Sequence, residues 1–298
     1  MKKYFLPLVV VFNCLALQAY AGAPDSLQVI KSKSALIYYS AGHDQRANAL
    51  AKQMEKAISW YQDLLEFKPS VTLMVLSAAD WKKHTSMGVV YGMPHINPQN
   101  KTLYVAAEDN PFWKNFLPPL DQLPAVLGEQ VQKVYNSNGN ISMQAFFDLL
   151  AIHELGHAFH YQGGLNMQRK WMGELFVNIL LHAYIAENEP ELLPALTLFP
   201  KMVVADGSNE FTFTRLQDVH DRYDEIARDY PKNYGWYQCR WHMAAAGIYE
   251  AAGKQVGQKL WLALKGKKDN LNDAQLIAFL TSSVDKTVAD VIEKWDGK

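Results

Sequence analysis

Hydrophobic and polar positions follow two different periods along the chain, and the change comes near residue 140. In the first part, the segments 36–40, 71–77 and 102–107 are rich in aliphatic, aromatic and β-branched residues, which is typical of strands. Between the first two segments, apolar side chains recur with the spacing of an amphipathic helix, at positions 47, 50, 54, 57, 58, 61, 64 and 65. This part therefore predicts strand, helix, strand and, after a loop with several Gly and Pro residues, a third strand.

Helical periods dominate from about residue 142 onward. They predict helices over six segments: 142–162, 168–186, 234–252, 256–264, 274–281 and 288–295. A proline-rich stretch, 111–124, is interpreted as a link between two lobes. The sequence thus predicts an α+β fold, in which a small mixed α/β lobe over residues 22–140 is followed by a helical lobe over residues 141–298.

The first residues have the pattern of a signal peptide. Two lysines precede an apolar run over residues 5–17, and residues 19–21 supply the small-x-small pattern of a cleavage site. We therefore expect residues 1–21 to be removed and the protein to be exported, either to a periplasm or out of the cell. No later stretch approaches about 20 apolar residues, so no transmembrane segment is expected in the mature chain. Cys239 is then its single cysteine, which rules out an internal disulfide.

Composition narrows the class of protein. The chain has 298 residues, of which 49% are hydrophobic and 20% charged, and its formal net charge is −1. A chain of this length and apolar content buries a substantial core. It has no excess of basic residues, so nothing in its charge indicates a nucleic-acid partner.

The chemistry of the chain is concentrated in the segment HELGH, within the predicted helix 142–162. His153 and His157 are four residues apart, so on a helix they point from one face and can bind one zinc ion. Glu154 lies one step round the helix, where its carboxylate can act as general base in metal-assisted hydrolysis. The competing interpretation is an amphipathic helix with solvated histidines. The apolar residues around the motif favour the metal site, because they would bury these polar groups.

Zinc needs a further protein ligand. The spacing HExxHxxGxxH does not hold, because His160 stands at the glycine position and Gly163 at the last histidine position. Glu174, on the next predicted helix, is the better candidate and gives a two-histidine, one-glutamate set that leaves a coordination position open. A glutamate near a helix start also favours the helix dipole without any metal. Glu187 and Glu189 are the next positions to consider.

Two residues are candidates for orienting the ligands. Asn178 lies one turn beyond Glu174, so it would face the same way and could accept a hydrogen bond from a ligand histidine. His160 lies almost one turn beyond His157 and is predicted to support the site or line its rim rather than bind the metal.

HELGH followed by WMGELFVN resembles the gluzincin metallopeptidases, and the mature chain resembles the peptidase MA-like group in particular, whose members open with a similar strand, long helix and strand. The resemblance implies a thermolysin-like catalytic core, one zinc ion in the cleft between the lobes, and a peptide or protein substrate. Two features depart from the family pattern. Asn178 stands where many gluzincins have Asp, and YGMPHIN, over residues 91–97, has no glutamate to hold a substrate amine as an aminopeptidase would.

The same resemblance implies two further parts of a peptidase site. One is an edge strand that pairs with extended substrate, for which segment 102–107 is the candidate, although it could equally be an ordinary strand of the sheet. The other is a donor to the developing oxyanion. The segment around residues 233–250 offers Tyr237, which we favour, then Tyr234, and also His242.

The sequence therefore predicts an exported zinc metallopeptidase that hydrolyses peptide bonds through a zinc-activated water. In this prediction His153, His157 and Glu174 hold the metal, Glu154 is the general base and Tyr237 stabilises the oxyanion. The alternative is a non-catalytic binding module that retains a zinc site. Glu154 argues against that alternative, because a structural site has no use for a base.

Overall fold

A computed structural model of the protein describes residues 26–32, 34–86, 88–137 and 139–296. The described residues form two sheets. The larger sheet has five strands and the smaller has two, and their bounds are as follows: β1 Leu27–Lys31, β2 Leu36–Ser40, β3 Thr72–Leu76, β4 His95–Asn97, β5 Thr102–Ala106, β6 Asn136–Ser137 and β7 Asn140–Ile141.

The five-stranded sheet has the order β1-β2-β3-β5-β4. Strands β2, β3 and β5 run parallel, and β1 and β4 are antiparallel to their neighbours at the two edges. All three strands predicted from the sequence are present. Of the two alternatives left open for segment 102–107, the ordinary strand is correct and the edge strand is not, because β5 lies between β3 and β4 and all five of its residues are buried. The edge of the sheet is the short strand β4.

Twelve α-helices account for most of the described chain. Their bounds are α1 Asp44–Leu65, α2 Ala78–His84, α3 Pro111–Lys114, α4 Ala125–Tyr135, α5 Gln144–Gln162, α6 Trp171–Asn188, α7 Leu193–Asp206, α8 Leu216–Asp229, α9 Pro231–Ala252, α10 Gln255–Gly266, α11 Asp273–Ser283 and α12 Lys286–Glu293. A small sheet followed by many helices is the α+β arrangement that the sequence predicted.

Helix α1 joins the sheet to the helices. One of its faces carries the apolar residues that the sequence pattern identified, and these are buried. The helix packs on β2 and β3 and also on α5, α6 and α10. Arg46 of α1 forms a bidentate ion pair with Asp148 of α5, with N···O distances of 2.7 and 2.5 Å. A continuous cluster of buried hydrophobic side chains extends from Leu27 to Trp295, so sheet and helices share a core.

The proline-rich stretch 111–124 is more ordered than a linker. It contains α3 and a turn of 3-10 helix at Leu120–Gln122. Trp113 and Leu117 are buried in the core, and the indole N–H of Trp113 donates to the Gly92 carbonyl at 2.7 Å. The stretch is therefore attached to the core, and the proposed boundary between lobes at residue 140 stays a prediction.

The sequence predictions for the N-terminus lie outside the described residues, because these begin at residue 26. Within the described part, no helix has the length and apolar character needed to cross a bilayer.

Candidate metal centre

Two buried helices, α5 and α6, carry the candidate site. Every residue of α6 from Trp171 to Ile185 is buried, and α5 packs on α6 on one side and on β4 and β5 on another. Glycines let the two helices approach closely. A Cβ at Gly156 would lie 3.0 Å from Cβ of Val177, and a Cβ at Gly173 would lie 2.7 Å from the His160 ring. This close packing brings the first turn of α6 against the HELGH turn of α5.

Three of the predicted ligand atoms converge. Oε2 of Glu174 lies 3.2 Å from Nε2 of His153 and 3.4 Å from Nε2 of His157. The three side chains are nearly inaccessible to solvent. Four ligands at about 2.0–2.1 Å around a tetrahedral zinc ion are about 3.3 Å from one another. The observed separations therefore match those of a zinc ligand set.

Hydrogen bonds from the far sides of the imidazoles assign their tautomers. Nδ1 of His153 lies 3.0 Å from Oδ1 of Asn178, so it carries a proton and donates it. Nδ1 of His157 lies 3.3 Å from Nδ1 of His160. Burial, together with the charge of His157, lowers the pKa of His160 to about 4, so this ring is neutral and accepts the His157 proton. Both Nε2 lone pairs are then left facing Glu174.

Three acceptor atoms that face one another need a cation between them. In place of a metal ion, protons on the Nε2 atoms can supply this charge. Burial opposes ionisation of Glu174, but a protonated His157 and Nε2–H hydrogen bonds from both histidines then hold the pKa of the Glu174 carboxyl well below its usual range. Burial also disfavours a charged His157 ring, yet the Glu174 carboxylate raises the pKa of His157. The site thus attracts positive charge strongly. A zinc ion fits both this electrostatic demand and the donor set of two imidazoles and one carboxylate.

Glu154 lies beside the histidines. One carboxylate oxygen of Glu154 and one ring nitrogen each of His153 and His157 lie within 4.8 Å of one another. Oε2 of Glu154 accepts a hydrogen bond from the backbone N–H of Ile96 at 3.0 Å. Ile96 is the middle residue of the edge strand β4 and pairs with Leu103. The carboxylate is therefore fixed between the two histidines and the edge strand β4.

A second group of polar side chains holds Glu174 from α8 and α9. The Tyr223 hydroxyl donates to Oε1 of Glu174 at 2.5 Å, and Nε2 of Gln238 donates to Oε2 at 2.9 Å. The Tyr234 hydroxyl lies 2.8 Å from both Tyr223 and Gln238. The Tyr223 hydroxyl has one proton and donates it to Glu174. The Tyr234 hydroxyl therefore donates a hydrogen bond to Tyr223 and accepts one from Gln238. Glu174 is thus oriented with Oε2 toward the histidines.

The structure does not bring Tyr237, the residue favoured from the sequence as oxyanion donor, to this group. The Tyr237 hydroxyl donates to the Arg215 carbonyl at 2.8 Å. Its ring stacks on Trp241 and Trp295, with centroid distances of 5.7 and 6.0 Å. Tyr237 is therefore a core residue with a satisfied hydroxyl. Tyr234, the second choice from the sequence, lies in the candidate site instead.

The convergent residues line a cavity of about 280 Å³. Its polar side includes His153, Glu154, His157, Glu174 and Tyr234, and also His242 of α9. Burial, followed by the charge of His153, lowers the pKa of His242 to about 3, so this ring is neutral. Most of the remaining lining is apolar: Ile96 of β4, Met93 and Pro94 just before it, Phe116, and side chains of α5 and α7. The cavity therefore lies between the edge of the sheet and the helices.

The sequence analysis missed two residues of the site, Gln238 and Tyr223. Gln238 follows Tyr234 by one helical turn, a spacing that could have signalled it. Tyr223 lies on a polar helix, and no local pattern distinguishes it from a solvated tyrosine. The alternative ligands are engaged elsewhere: Glu187 accepts hydrogen bonds from Tyr249 and Lys254, and Glu189 accepts one from Tyr184.

Comparison with known proteins gives a distant structural likeness. No protein-family model matches the chain. No curated protein sequence matches it either. The fold is similar to that of a crystallised aminopeptidase N family protein from Idiomarina loihiensis, with a TM-score of 0.50 and 14% sequence identity. The alignment covers 90% of this chain and 46% of that one, so the chain spans about half the length of this neighbour. At this identity the likeness shows the fold alone.

Proposed function

We propose that this protein is a zinc-dependent metallopeptidase of the gluzincin type, with a thermolysin-like catalytic core. The observation that carries the proposal is the convergence of Oε2 of Glu174 with both Nε2 atoms of His153 and His157, at 3.2 and 3.4 Å, with the Glu154 carboxylate beside them. Two imidazoles and a carboxylate leave one position of a tetrahedral ion free for water or substrate, which is the arrangement of a catalytic rather than a structural zinc site.

In this proposal the zinc ion, when bound, polarises the scissile carbonyl and lowers the pKa of a water molecule. Glu154 takes a proton from the attacking water and later delivers it to the nitrogen of the leaving amine. The hydrogen bond from Ile96 orients the Glu154 carboxylate for this role. Asn178 and His160 hold the two ligand imidazoles with Nε2 toward the cavity.

Tyr234 replaces Tyr237 as the proposed donor to the developing oxyanion. Its hydroxyl lines the cavity, and Gln238 and Tyr223 hold it in place. Burial, together with the charge of Glu174, raises the pKa of Tyr234 well above the usual range, so its proton is available to donate at neutral pH. To reach the oxyanion, this proton turns from Tyr223 to the substrate.

The similarity in fold to an aminopeptidase N family protein is compatible with this proposal. The position of the cavity, between the sheet edge β4 and the helices, is also compatible with the proposal, because a cleft between lobes would lie there. The pattern of residues 1–21 supports export of the protein to a periplasm or to the medium. An open strand edge beside the base supports a peptide or protein substrate, because extended peptides pair with such edges.

The test is a peptide-cleavage assay on the purified chain. The protein should bind one zinc ion per chain and cleave members of a pool of unstructured peptides, with mass spectrometry reporting the products. A chelator should abolish cleavage, and added zinc should restore it. A chain that binds one zinc ion and cleaves nothing contradicts the proposal and supports the alternative, a non-catalytic module that retains a zinc site.

A further inference from the structure

The third candidate ligand, Glu174, is contacted by a residue of a polar helix from a distant part of the chain. Helix α8 has two buried residues, Val219 and Ile226, among its 14, so it buries little apolar surface. Its backbone departs from helical geometry at Arg222, with φ −120° and ψ 26°, immediately before Tyr223. The Tyr223 side chain is half-buried, and its hydroxyl donates to the Glu174 carboxylate. Helix α8 thus reaches the candidate metal centre through Tyr223.

The two oxygens of the Glu174 carboxylate have different partners. Oε2 lies 3.2 Å from Nε2 of His153 and 3.4 Å from Nε2 of His157, and it accepts a hydrogen bond from Gln238 at 2.9 Å. Oε1 accepts a hydrogen bond from the Tyr223 hydroxyl at 2.5 Å. An ionised carboxylate has no proton to give, so the hydroxyl is the donor, and hydrogen bonds to a charged acceptor are among the stronger ones. Tyr223 therefore engages one oxygen of a carboxylate whose other oxygen is beside the histidines.

The number of carboxylate oxygens that bind a metal ion affects its coordination. A zinc ion with two imidazoles, one carboxylate oxygen and one water is four-coordinate. A carboxylate that offers both oxygens raises the coordination number, which suits cations that prefer many oxygen ligands, such as Ca²⁺ and Mn²⁺. The hydrogen bond from Tyr223 opposes rotation of Oε1 toward the metal. It therefore favours the lower coordination number.

We propose that Tyr223 is a positioning residue of the metal centre: by holding Oε1 of Glu174 it limits this ligand to Oε2, and so selects a four-coordinate zinc ion over cations that need more oxygen ligands. The inference rests on the metal centre of the proposed function and not on peptide hydrolysis. Tyr234 and Gln238 support the same arrangement, because Tyr234 donates to the Tyr223 hydroxyl and Gln238 donates to Oε2. Helix α8 is thereby part of the metal centre, although Tyr223 and Glu174 are 49 positions apart in the sequence.

Metal binding by Tyr223→Phe tests the proposal. The change removes the hydroxyl and keeps the ring, so zinc affinity, measured by competition with a chelator, should fall about 10–100-fold. Mn²⁺ affinity should fall less, because the freed carboxylate can offer both oxygens to this cation. With Co²⁺ in place of zinc, the wild type should show the intense visible absorption of four-coordinate cobalt. The variant should show a weaker band, because its site has a higher coordination number.

Tyr184→Phe is the matched control. The Tyr184 hydroxyl also donates to a carboxylate, at 3.1 Å from Oε1 of Glu189, and Tyr184 does not line the cavity. Both variants therefore lose a hydrogen bond between a tyrosine and a glutamate, and thermal melting of the metal-free proteins measures its effect on stability. Zinc affinity, metal preference and the cobalt spectrum should change in Tyr223→Phe alone. Tyr223→Leu, which also lacks the donor, serves if the phenylalanine variant does not fold.

Three results would overturn the inference. The first is a Tyr223→Phe protein with wild-type zinc affinity. The second is an equal loss of zinc affinity in Tyr223→Phe and Tyr184→Phe, which would show a general loss of stability. The third is a loss of affinity with an unchanged cobalt spectrum, which would show that the hydroxyl does not withhold Oε1 from the metal.

The outcomes also separate the inference from the proposed function. If the wild type binds neither zinc nor cobalt, the proposed metal centre fails and the inference fails with it. If the wild type binds one metal ion with the expected difference between the two tyrosine variants but cleaves no peptide, the role of Tyr223 stands and the proposed peptidase activity fails.

Discussion

Single hydrogen bonds decide whether the two candidate ligand histidines can bind a metal. His153 and His157 offer Nε2 to the cavity only because Asn178 and His160 accept their Nδ1 protons. Asn178 is fully buried, and its Nδ2 atom has no hydrogen-bond partner among the described residues. A buried amide with an unpaired donor is unfavourable. Its position beside His153 supports a role in orienting that ring rather than in stabilising the fold.

Substitution of Asn178 tests this role. Asn178→Leu keeps the volume but removes the acceptor, so zinc affinity should fall by about 10–100-fold, the usual cost of losing a group that orients a ligand histidine. Asn178→Asp is the matched control, because it keeps an acceptor for His153 and should retain zinc. Competition with a chelator of known affinity measures the zinc affinity of both variants. Equal zinc affinities in Asn178→Leu and the wild type would show that the histidine needs no partner.

Two tyrosines on α9 distinguish catalysis from packing. Tyr234→Phe should lower kcat by a factor of about 10² or more, because it removes the proposed oxyanion donor. KM and zinc content should stay nearly unchanged, because Tyr223 and Gln238 still donate directly to Glu174. Tyr237→Phe should keep kcat and lower the free energy of unfolding by about 1 kcal/mol, through the lost hydrogen bond to the Arg215 carbonyl. Steady-state kinetics and denaturant titration measure the two effects. An unaltered kcat in Tyr234→Phe would transfer the role to His242.

At the residue scale, local spacing identified His153, Glu154, His157, Glu174 and Asn178, all of which the structure brings together. His153 and His157 are one helical turn apart, and so are Glu174 and Asn178, a spacing that can be read directly from the sequence. The choice between Tyr234 and Tyr237 depended on what packs against α9. Trp295, far along the chain, stacks on Tyr237 and buries it. The sequence of α9 alone does not predict that contact.

At the scale of elements, the site depends on how closely α5 and α6 pack. Gly156 and Gly173 each lie where a methyl group would press on the facing helix. A methyl group at Gly173 would press on the His160 ring, which accepts a hydrogen bond from His157. Helix spacing and ligand orientation are thus coupled through one contact.

A pair of glycine substitutions tests the coupling. Gly173→Ala should displace His160, weaken zinc binding and lower the melting temperature, since the new Cβ would lie 2.7 Å from the ring. Gly247→Ala, in α9, meets no atom within 4 Å, so it should stabilise the protein by about 0.5–1 kcal/mol and leave zinc affinity unchanged. Thermal melting measures the stability of each variant, and chelator competition measures its zinc affinity. A Gly173→Ala protein with wild-type zinc affinity would disprove the coupling.

The elements differed in how well the sequence predicted them. Long segments with a clear period, such as α1, α5 and the parallel strands, appear where they were expected. Strand β4 was missed because three partly buried residues carry too short a pattern. Helix α7 contains Pro200, and α8 is highly polar, so both differ from an ordinary buried helix. These missed elements supply Ile96 of the edge strand and Phe199, which line the cavity, and Tyr223, which donates a hydrogen bond to Glu174.

At the scale of the whole molecule, the α+β architecture followed from the change of period near residue 140. The identity of the edge strand could not be predicted from that change of period, because strand order depends on contacts between distant segments. The cavity draws its residues from β4, α5, α6, α7 and α9, so its shape depends on the assembled fold. A zinc ion bound there joins α5 to α6 and should stabilise the folded state by mass action.

The zinc affinity of two glutamate variants, measured by chelator competition on the folded proteins, tests the ligand set most directly. Glu154→Gln keeps the shape and removes the base, so it should bind one zinc ion with wild-type affinity while hydrolysis falls by several orders of magnitude. Glu174→Ala removes a ligand and leaves two histidines, so its zinc affinity should fall strongly and its melting temperature should no longer rise with added zinc. Wild-type zinc affinity in Glu174→Ala would contradict the assignment of Glu174 as the third ligand, and with it the proposed metal centre.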